Sequence, residues 1–413
     1  MRPGAGATST RRLDTVRRVL VAVFILGLGF SITLSQTALA LLTLLWLWGL
    51  HAPDVRAEAR WPLWKPVLAF GVVSIVSALV SGHPLGALVA CKGLLLVAAL
   101  YVTADALRGP ADAHRFLSAL LVVVSIAALV GMIQTAVCPG TAPDYGAPAW
   151  LYHRCYRARG FFSIYMTLAG VLTLVLLATL PRLMAGGARE RWLGVPWLVG
   201  LGGLVATYTR GAWLGCLAGA LVLLPKNRKG CCFLVGGLVL LGVVALAGPQ
   251  HLRQRLLTMG DPDDLTVKER VYMWRSGAAM WWRHPLLGVG PGGVKREYRN
   301  YVLPEAIKKA TGHLHNTPLQ ILVERGVLGL AAWLWIWAAF YAQAIRLRFQ
   351  LPETAGPGRA IVVGSLAAIT GFLVAGLTEY NFGDSEVVMV AWATMALPFV
   401  AAQGGTPPRS QET

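Results

Sequence analysis

Long uncharged stretches dominate the sequence, and the longest of them, residues 19–50, contains no Asp, Glu, Lys or Arg. About 20 apolar residues are enough for one helical crossing of a bilayer, so this stretch is too long for a single span. Arginines precede it, and Arg56, Arg60 and Lys65 follow it. Because Lys and Arg collect on the cytoplasmic side of membrane helices, we expect the stretch to cross twice and to turn near residues 31–37.

Similar stretches recur as far as residue 402, and the composition agrees with them: 56% of the residues are hydrophobic and 14% are charged. The pattern predicts an all-α polytopic membrane protein of about twelve transmembrane helices with one long helical periplasmic loop. The predicted parts are a cytoplasmic tail (1–18), transmembrane helices 1–9 (19–248), the periplasmic loop (249–316), transmembrane helices 10–12 (317–402) and a second cytoplasmic tail (403–413).

The formal net charge of +18 is of a kind also found in nucleic-acid-binding proteins. Many of the basic residues, however, lie in the short segments that the positive-inside rule places in the cytoplasm. We therefore expect membrane lipids, and no nucleic acid, as partners. The long loop departs from the rule and keeps a basic surplus. That surplus indicates either an anionic partner, such as a phosphate on a lipid or glycan, or a loop resting on anionic headgroups.

Two helices are predicted within the long loop. Residues 265–282 place apolar and Trp side chains on one side, which predicts a helix lying on the membrane surface or on the bundle. A second helix is predicted over residues 295–309. Residues 288–293 match G-x-G-x-x-G, but no strand precedes them and Pro291 interrupts them. They therefore predict a tight turn that returns the loop to the bundle, and not a dinucleotide site.

The segment where the loop returns to the membrane reads T-G-H-L-H-N-T-P, and its His313, His315 and Asn316 are the first candidates for chemistry. Histidine can accept a proton from an alcohol near neutral pH, and the asparagine can hold the ring or a substrate oxygen. Three other interpretations remain open. The segment is a helix N-terminal box with Asn316 or Thr317 as cap and Pro318 in the first turn, a weak metal site without a nearby Cys or acid motif, or a pair of interfacial histidines without a function.

Arg210 is the second candidate, because a charge in the middle of the apolar stretch 193–224 normally faces a polar cavity or a partner. Its guanidinium group suits a diphosphate, and the alternative is a side chain that reaches outer lipid headgroups. Other basic residues are candidates for the same phosphate from neighbouring segments: Arg157, Arg159, Arg270 and Arg275. Lys92 lies within a predicted span and is either a substrate contact or an internal pairing partner.

Cys138 and Cys155 bracket a predicted outer loop, and we expect a disulfide between them in an oxidising compartment. Glu324 and Arg325 lie in the helix that returns from the long loop, where we expect them to pair with other groups rather than to react. The remaining cysteines lie in or at the edges of predicted spans, where cysteine behaves as a small apolar residue.

Four motifs occur in order along the second half of the chain. They are R-A-R-G-F-F-S at 157–163, T-Y-T-R-G-A at 207–212, E-R-V-Y-M-W at 269–274 followed by H-P-L-L-G-V-G at 284–290, and H-L-H-N-T-P-L-Q-I-L-V-E-R-G-V-L-G-L at 313–330. In this order they resemble the motifs of the O-antigen ligase superfamily, which also includes O-antigen polymerases and protein O-oligosaccharyltransferases. The resemblance covers about residues 150–335, nearly half of the chain.

The resemblance implies a GT-C-like glycosyltransferase in the bacterial inner membrane, which carries out metal-independent, inverting glycosyl transfer at the periplasmic face without a cofactor. The implied donor is a glycan on undecaprenyl diphosphate, and in the ligases the acceptor is a sugar hydroxyl of the lipid A-core. Carried onto this chain, Arg210 and Arg270 would hold the diphosphate. His315 or His313 would orient or deprotonate the acceptor, with His315 favoured because it adjoins Asn316.

Two alternatives share these motifs, because polymerases and protein glycosyltransferases use the same donor and differ in the acceptor. Protein-glycosylating members often carry a large region after the last motif, so the short stretch after Gly329 favours a ligase or a polymerase. A transporter of lipid-linked sugar is an alternative of another class. The polar groups collect on one side of the membrane, however, whereas transporters place their sites near its midplane.

Overall fold

The computed structural model describes residues 5–53, 56, 61–137, 157–185, 188–223, 265–352 and 356–404. These residues form helices and connecting turns and no strand, so the predicted all-α class is confirmed. Three predictions lie outside the described residues: the end of the transmembrane region 19–248 after residue 223, the Cys138–Cys155 disulfide and the part of the long loop before residue 265.

The described α-helices follow one another in a simple order. They are α1 (Ala5–Phe30), α2 (Ile32–Gly49), α3 (Trp64–Val80), α4 (Pro84–Ala90), α5 (Ala98–Ala106), α6 (Pro110–Val137), α7 (Tyr165–Ala185), α8 (Gly194–Ala206), α9 (Arg210–Leu221), α10 (Leu265–Arg283), α11 (Gly293–Glu297), α12 (Thr317–Gln350), α13 (Gly356–Ala375) and α14 (Ser385–Ala401). A 3-10 segment, Cys91–Val97, joins α4 to α5.

Six helical stretches among the described residues are long and apolar enough to cross a membrane. Together they support a polytopic membrane protein by length and composition, and α3 and α14 are shorter apolar helices. The total of twelve spans stays a prediction. The six stretches are Ile32–Gly49, Pro84–Ala106, Pro110–Val137, Tyr165–Ala185, Thr317–Gln350 and Gly356–Ala375.

The turn predicted within residues 19–50 is confirmed at Ser31, between α1 and α2. Ser31 has an extended backbone (φ −160°, ψ 117°), and its hydroxyl accepts a hydrogen bond from the Leu34 N–H at 3.4 Å as the cap of α2. Gly27 allows the two helices to approach closely, because a Cβ at this position would collide with Ser35. The long apolar stretch is therefore an antiparallel helix pair.

The apolar stretch 193–224 is interrupted near Arg210, since α8 ends at Ala206 and α9 begins at Arg210. The two helices do not pack along each other as an ordinary hairpin would. Both contact α7, while α8 lies mainly against α6 and α9 lies mainly against α13. Arg210 therefore begins a helix that is held between α7 and α13.

A break in α12 at Gly326 (φ 65°, ψ −170°) brings the long loop into contact with the bundle. The strap, residues 285–290, returns from that loop and fills the break. The Val289 N–H donates to the Val323 carbonyl at 3.0 Å, and a Cβ at Gly326 would collide with the backbone of Leu286. Because backbone polar groups inside a membrane need protein partners, the strap and the broken helix satisfy each other.

The strap contains the predicted tight turn, with φ of 70° at Gly288 and 88° at Gly290. Beside it, Arg325 Nη1 pairs with Glu324 Oε2 at 3.1 Å, and Arg325 Nε donates to Ser74 Oγ at 3.0 Å. Both charged side chains are buried. The expectation that Glu324 and Arg325 pair with other groups is therefore confirmed.

The predicted loop helix over 265–282 is observed as α10, which packs its Met273, Ser276 and Met280 face inward. The Trp-rich side is only partly buried, and Trp282 is exposed. Contacts with the rest of the protein decide which face of α10 is buried. The positions of the apolar residues along the helix therefore did not predict that face.

The predicted second loop helix over residues 295–309 is wrong, because residues 301–316 are irregular after the short α11 and one 3-10 turn. Pro304 lacks the N–H group that a helix interior needs. The Lys308 N–H donates to the Glu269 carboxylate at 3.0 Å instead of to a helical carbonyl. A side chain of α10 thus holds this segment in an irregular path.

Candidate active site

A cavity of about 460 Å³ opens at one end of the bundle, between the N-terminal ends of α7, α9 and α10 and the loop that joins α13 to α14. Its volume is in the range of small-molecule sites. The polar and aromatic residues on its wall include Arg157, Tyr165, Tyr208, Arg210, Glu269, Arg270, Lys308, His315, Glu379 and Asn381.

The start of α12 is fixed by Asn316, as the predicted N-terminal box requires. Asn316 Oδ1 accepts the Leu319 N–H at 2.8 Å, and Asn316 Nδ2 donates to the Leu377 carbonyl at 2.9 Å. The amide therefore caps α12 and ties it to the end of α13. Asn316 does not line the cavity, and its bonds position the preceding residue, His315, which does.

His315 has a left-handed backbone conformation, with φ of 49°. Such a conformation is uncommon for a residue with a Cβ and is concentrated at functional sites. Tyr208, just before the Thr209-Arg210 pair, has φ of 52°. Both residues line the cavity, so the surrounding structure holds strained backbone on two sides of it.

Glu379 is the nearest partner of His315. His315 Nδ1 lies 3.0 Å and 3.1 Å from the two carboxylate oxygens of Glu379, which is 64 residues away in the chain. Glu379 belongs to none of the four sequence motifs. The only available signal was its place in a short polar loop between two apolar stretches.

The ionisation of Glu379 determines which nitrogen of His315 carries a proton. Burial by itself raises the pKa of the Glu379 carboxyl, but the hydrogen bond and charge of His315, with His313 and the Tyr380 N–H, hold that pKa below its usual value. Glu379 is therefore a carboxylate near neutral pH and only accepts hydrogen bonds. His315 Nδ1 must carry the proton, which leaves its Nε2 able to accept one.

His313 occupies a different position. Burial lowers the pKa of His313 to about 4, with a further contribution from the neighbouring His315, so its ring is neutral near pH 7. His313 Nδ1 accepts the His315 backbone N–H at 3.3 Å, and the two ring centroids are 4.1 Å apart. His313 is not among the residues that line the cavity. The geometry favours His315 as the histidine that faces a substrate.

Three of the predicted arginines meet at the cavity: Arg157, Arg210 and Arg270. Arg210 is the first residue of α9. Arg270 Nη2 lies 3.9 Å from a Glu379 carboxylate oxygen. The Arg157 guanidinium lies over the Tyr165 ring, 4.2 Å from its centroid. The fold therefore collects basic groups from three separate motifs.

Lys308 is a fourth basic residue on the cavity wall, and it belongs to none of the four sequence motifs. The Glu269 carboxylate accepts the N–H groups of Ile307 and Lys308 at 3.2 Å and 3.0 Å, which places this segment over the cavity. Among the described lining residues, four Lys and Arg face two carboxylates. This excess of positive charge suits an anionic ligand.

Three other predicted substrate-binding residues do not line the cavity. Arg159 Nη1 donates to the Ser163 carbonyl at 2.9 Å, and Arg275 is exposed on α10. Lys92 is exposed on the 3-10 segment between α4 and α5 and has no ion-pair partner in the described part of the chain. Among the described residues, the structure therefore shows neither of the two roles predicted for Lys92.

The ligand atoms of His313, His315 and Glu379 lie within 4.8 Å of one another, which is close enough for one metal ion to contact all three. Two features oppose a cation at this place. The guanidinium of Arg270 is 3.9 Å from Glu379, and His315 Nδ1 already donates to the same carboxylate. We therefore interpret the group as a hydrogen-bonded cluster.

The comparison with known protein families gives one match: residues 195–334 match the O-antigen ligase family. A comparison with curated proteins found no match. The matched residues include Arg210, Arg270 and His315, whereas Arg157 and Glu379 lie outside them. The family match over residues 195–334 therefore supports the resemblance to the O-antigen ligase superfamily that the four motifs indicate.

Proposed function

We propose that the protein is an O-antigen ligase of lipopolysaccharide biosynthesis. In this proposal it transfers an O-antigen glycan from undecaprenyl diphosphate to a sugar hydroxyl of lipid A-core, at the periplasmic face of the bacterial inner membrane. The observation that carries the proposal is the convergence of Arg157, Arg210, Arg270 and the His315–Glu379 pair on one cavity at the end of a bundle of apolar helices.

The donor diphosphate binds to the basic wall of the cavity, formed by Arg157, Arg210, Arg270 and Lys308. Guanidinium groups form paired hydrogen bonds with phosphate oxygens. Their fixed positive charge also stabilises the negative charge that develops on the diphosphate as it leaves. Because side chains supply this stabilisation, the proposed transfer is independent of a metal ion.

The acceptor hydroxyl is activated by His315. Its oxygen attacks the anomeric carbon from the face opposite the diphosphate, and the bond from that carbon to the diphosphate oxygen breaks. The electron pair of that bond leaves with the diphosphate, so the anomeric configuration is inverted. His315 Nε2 accepts the hydroxyl proton, and the Glu379 carboxylate at Nδ1 stabilises the resulting positive ring.

The test is a transfer assay with purified protein in detergent, a lipid-linked glycan donor and rough lipopolysaccharide as acceptor, in the presence of EDTA. Wild type is compared with His315→Ala and Arg210→Ala. The matched control is Arg275→Ala, which removes an exposed arginine of α10 that does not line the cavity. Donor binding is measured in parallel for every variant, so that binding and transfer are separated.

A ligase produces a glycan ladder on the lipopolysaccharide that survives EDTA, persists in Arg275→Ala and is lost in His315→Ala and Arg210→Ala. Lengthening of the donor by itself identifies a polymerase instead. Transfer to an added acceptor protein, with none to lipopolysaccharide, identifies a protein O-oligosaccharyltransferase. Donor binding without any transfer supports a transporter, a function that the position of the cavity at one end of the bundle does not favour.

A further inference from the structure

A second cleft, of about 420 Å³, lies between α1, the end of α5 and the start of α6. Its inner wall is apolar, and its rim is charged. The apolar residues are Val21, Ala22, Ile25, Ala106, Leu107, Phe116 and Ala119, and the charged residues are Asp14, Arg17, Arg18, Arg108, Asp112 and Arg115.

This cleft and the candidate active site lie at opposite ends of the bundle. The C-terminal half of α6 contacts the segment before α7, where a Cβ at Gly131 would approach Gly160 at 2.8 Å. That segment begins at Arg157, on the wall of the active-site cavity. The cleft is at the other end of α6, which has 28 residues and a length of about 42 Å. The two sites are therefore separate.

The rim of the cleft is partly neutralised by ion pairs within the protein. Arg17 pairs with Asp105 at 3.4 Å, and Arg115 pairs with Asp112 at 2.6 Å. Arg108 lies 3.8 Å from Asp14, which gives a third, longer pair. Arg18 is exposed and has no ion-pair partner among the residues that the structure describes. The four arginines therefore outnumber the three carboxylates, and a net positive charge remains at the mouth.

The sequence places the cleft at the predicted edge of the membrane. Arg17 and Arg18 directly precede the uncharged stretch 19–50, whose first residues form the apolar wall. A site with an apolar interior in the membrane and arginines at its mouth is complementary to an amphiphile with an anionic head. A free phosphate would satisfy the arginines and leave the apolar wall unfilled, so a lipid is the better occupant.

We propose that this cleft binds one anionic phospholipid of the bilayer, with its phosphate at Arg18 and Arg115 and the first part of an acyl chain against Phe116 and Ala119. The site accepts a lipid with a net negative head and discriminates against a zwitterionic lipid with the same acyl chains. It does not depend on the reaction proposed for the other end of the bundle.

The test uses full-length protein that is stripped of lipid in detergent and supplied with phosphatidylglycerol or phosphatidylcholine of identical acyl chains. Bound lipid is measured by native mass spectrometry. Three variants are compared: Arg18→Ala with Arg115→Ala, which removes rim charge, Ala119→Trp, which fills the apolar wall, and Arg346→Ala. The last is the matched control, an exposed arginine near the C-terminal end of α12, at the same end of the bundle and outside the cleft.

We expect wild type and Arg346→Ala to retain phosphatidylglycerol in preference to phosphatidylcholine. The double arginine variant should lose about fivefold in affinity for each arginine, the ratio that corresponds to ~1 kcal/mol per basic group near an anionic surface. Ala119→Trp should also lose the bound lipid although no charge has changed, and the melting temperature of each variant confirms that it is folded. Equal retention of the two lipids, or an Ala119→Trp variant that binds as wild type does, would overturn the proposal.

Discussion

The His315–Glu379 pair makes a specific prediction for Glu379→Gln, a substitution that keeps the size of the side chain and removes its charge. Glutamine can still accept the His315 Nδ1–H bond, which is 3.0 Å long in the structure. The amide cannot stabilise a positive ring as the carboxylate does. The variant therefore isolates the electrostatic part of the interaction from its geometry.

The magnitude follows from the difference between a charged and a neutral hydrogen-bond partner. A hydrogen bond to a charged group contributes about 1.5–3 kcal/mol, and a neutral one contributes about 1 kcal/mol. Glu379→Gln should therefore cost ~0.5–2 kcal/mol in the transition state and lower kcat by roughly 2- to 30-fold. Because the carboxylate contacts the histidine and is not proposed to contact the donor, KM for the donor should change much less than kcat.

The assay is the pH dependence of glycan transfer for wild type, Glu379→Gln and the control Glu305→Gln, which removes an exposed carboxylate of the long loop. The pKa of Glu379 is held below its usual value in the folded protein. The ionised carboxylate therefore contributes its full stabilisation above the pKa of an unfolded Glu, and this stabilisation is lost as the pH falls through the lower pKa of the folded protein. It is ionised across an assay range of about pH 5–8. The lower kcat of Glu379→Gln should therefore be observed throughout this range.

Two results would refute this reasoning. One is a Glu379→Gln variant whose KM for the donor rises as far as its kcat falls, because that outcome indicates a structural defect. The other is a rate equal to that of Glu305→Gln, which would mean that the carboxylate does not act on His315. Melting temperatures of the three proteins in detergent separate loss of folding from loss of function.

Three further predictions concern the basic wall of the active-site cavity, the break in α12 and the independence of the transfer from metal ions. Arg270→Ala should lower kcat/KM by ~10²–10³-fold, as loss of one stabilising donor does, whereas Arg275→Ala on the same helix should stay within about twofold in the same transfer assay. Gly326→Ala should destabilise the protein by ~2–5 kcal/mol in detergent melts, because φ is 65° and the added Cβ collides with the strap. The control Gly71→Ala, in helix α3 with open space around it, should stabilise the protein by ~0.5–1 kcal/mol. Equal effects of the two substitutions would contradict the assigned role of the break. Chelation should leave the transfer rate unchanged, because side chains are proposed to stabilise the leaving diphosphate. Activity that is lost on chelation and restored by Zn²⁺ would reverse the interpretation of His313, His315 and Glu379 as a hydrogen-bonded cluster.

Much of the fold could be predicted because the relevant forces act locally along the chain. The uncharged residues 116–137 lie within α6, and the turn at Ser31 lies where the long stretch 19–50 was predicted to divide into two spans. The cap at Asn316 was recognisable since a cap and the helix that it serves are neighbours in sequence. The second loop helix was predicted wrongly, because the Glu269 carboxylate competes for its backbone N–H groups from another element.

The sequence by itself determined that the chain forms apolar helices and which histidines and arginines carry the motifs, since hydropathy and motif spacing are properties of neighbouring residues. Only the tertiary structure decided that His315 and not His313 faces the cavity, that Glu379 lies beside it, and that Lys308 joins the arginines. The physical reason is distance along the chain: the His315–Glu379 hydrogen bond joins groups 64 residues apart, and its energy exists only after α12, α13 and the loop behind them have packed.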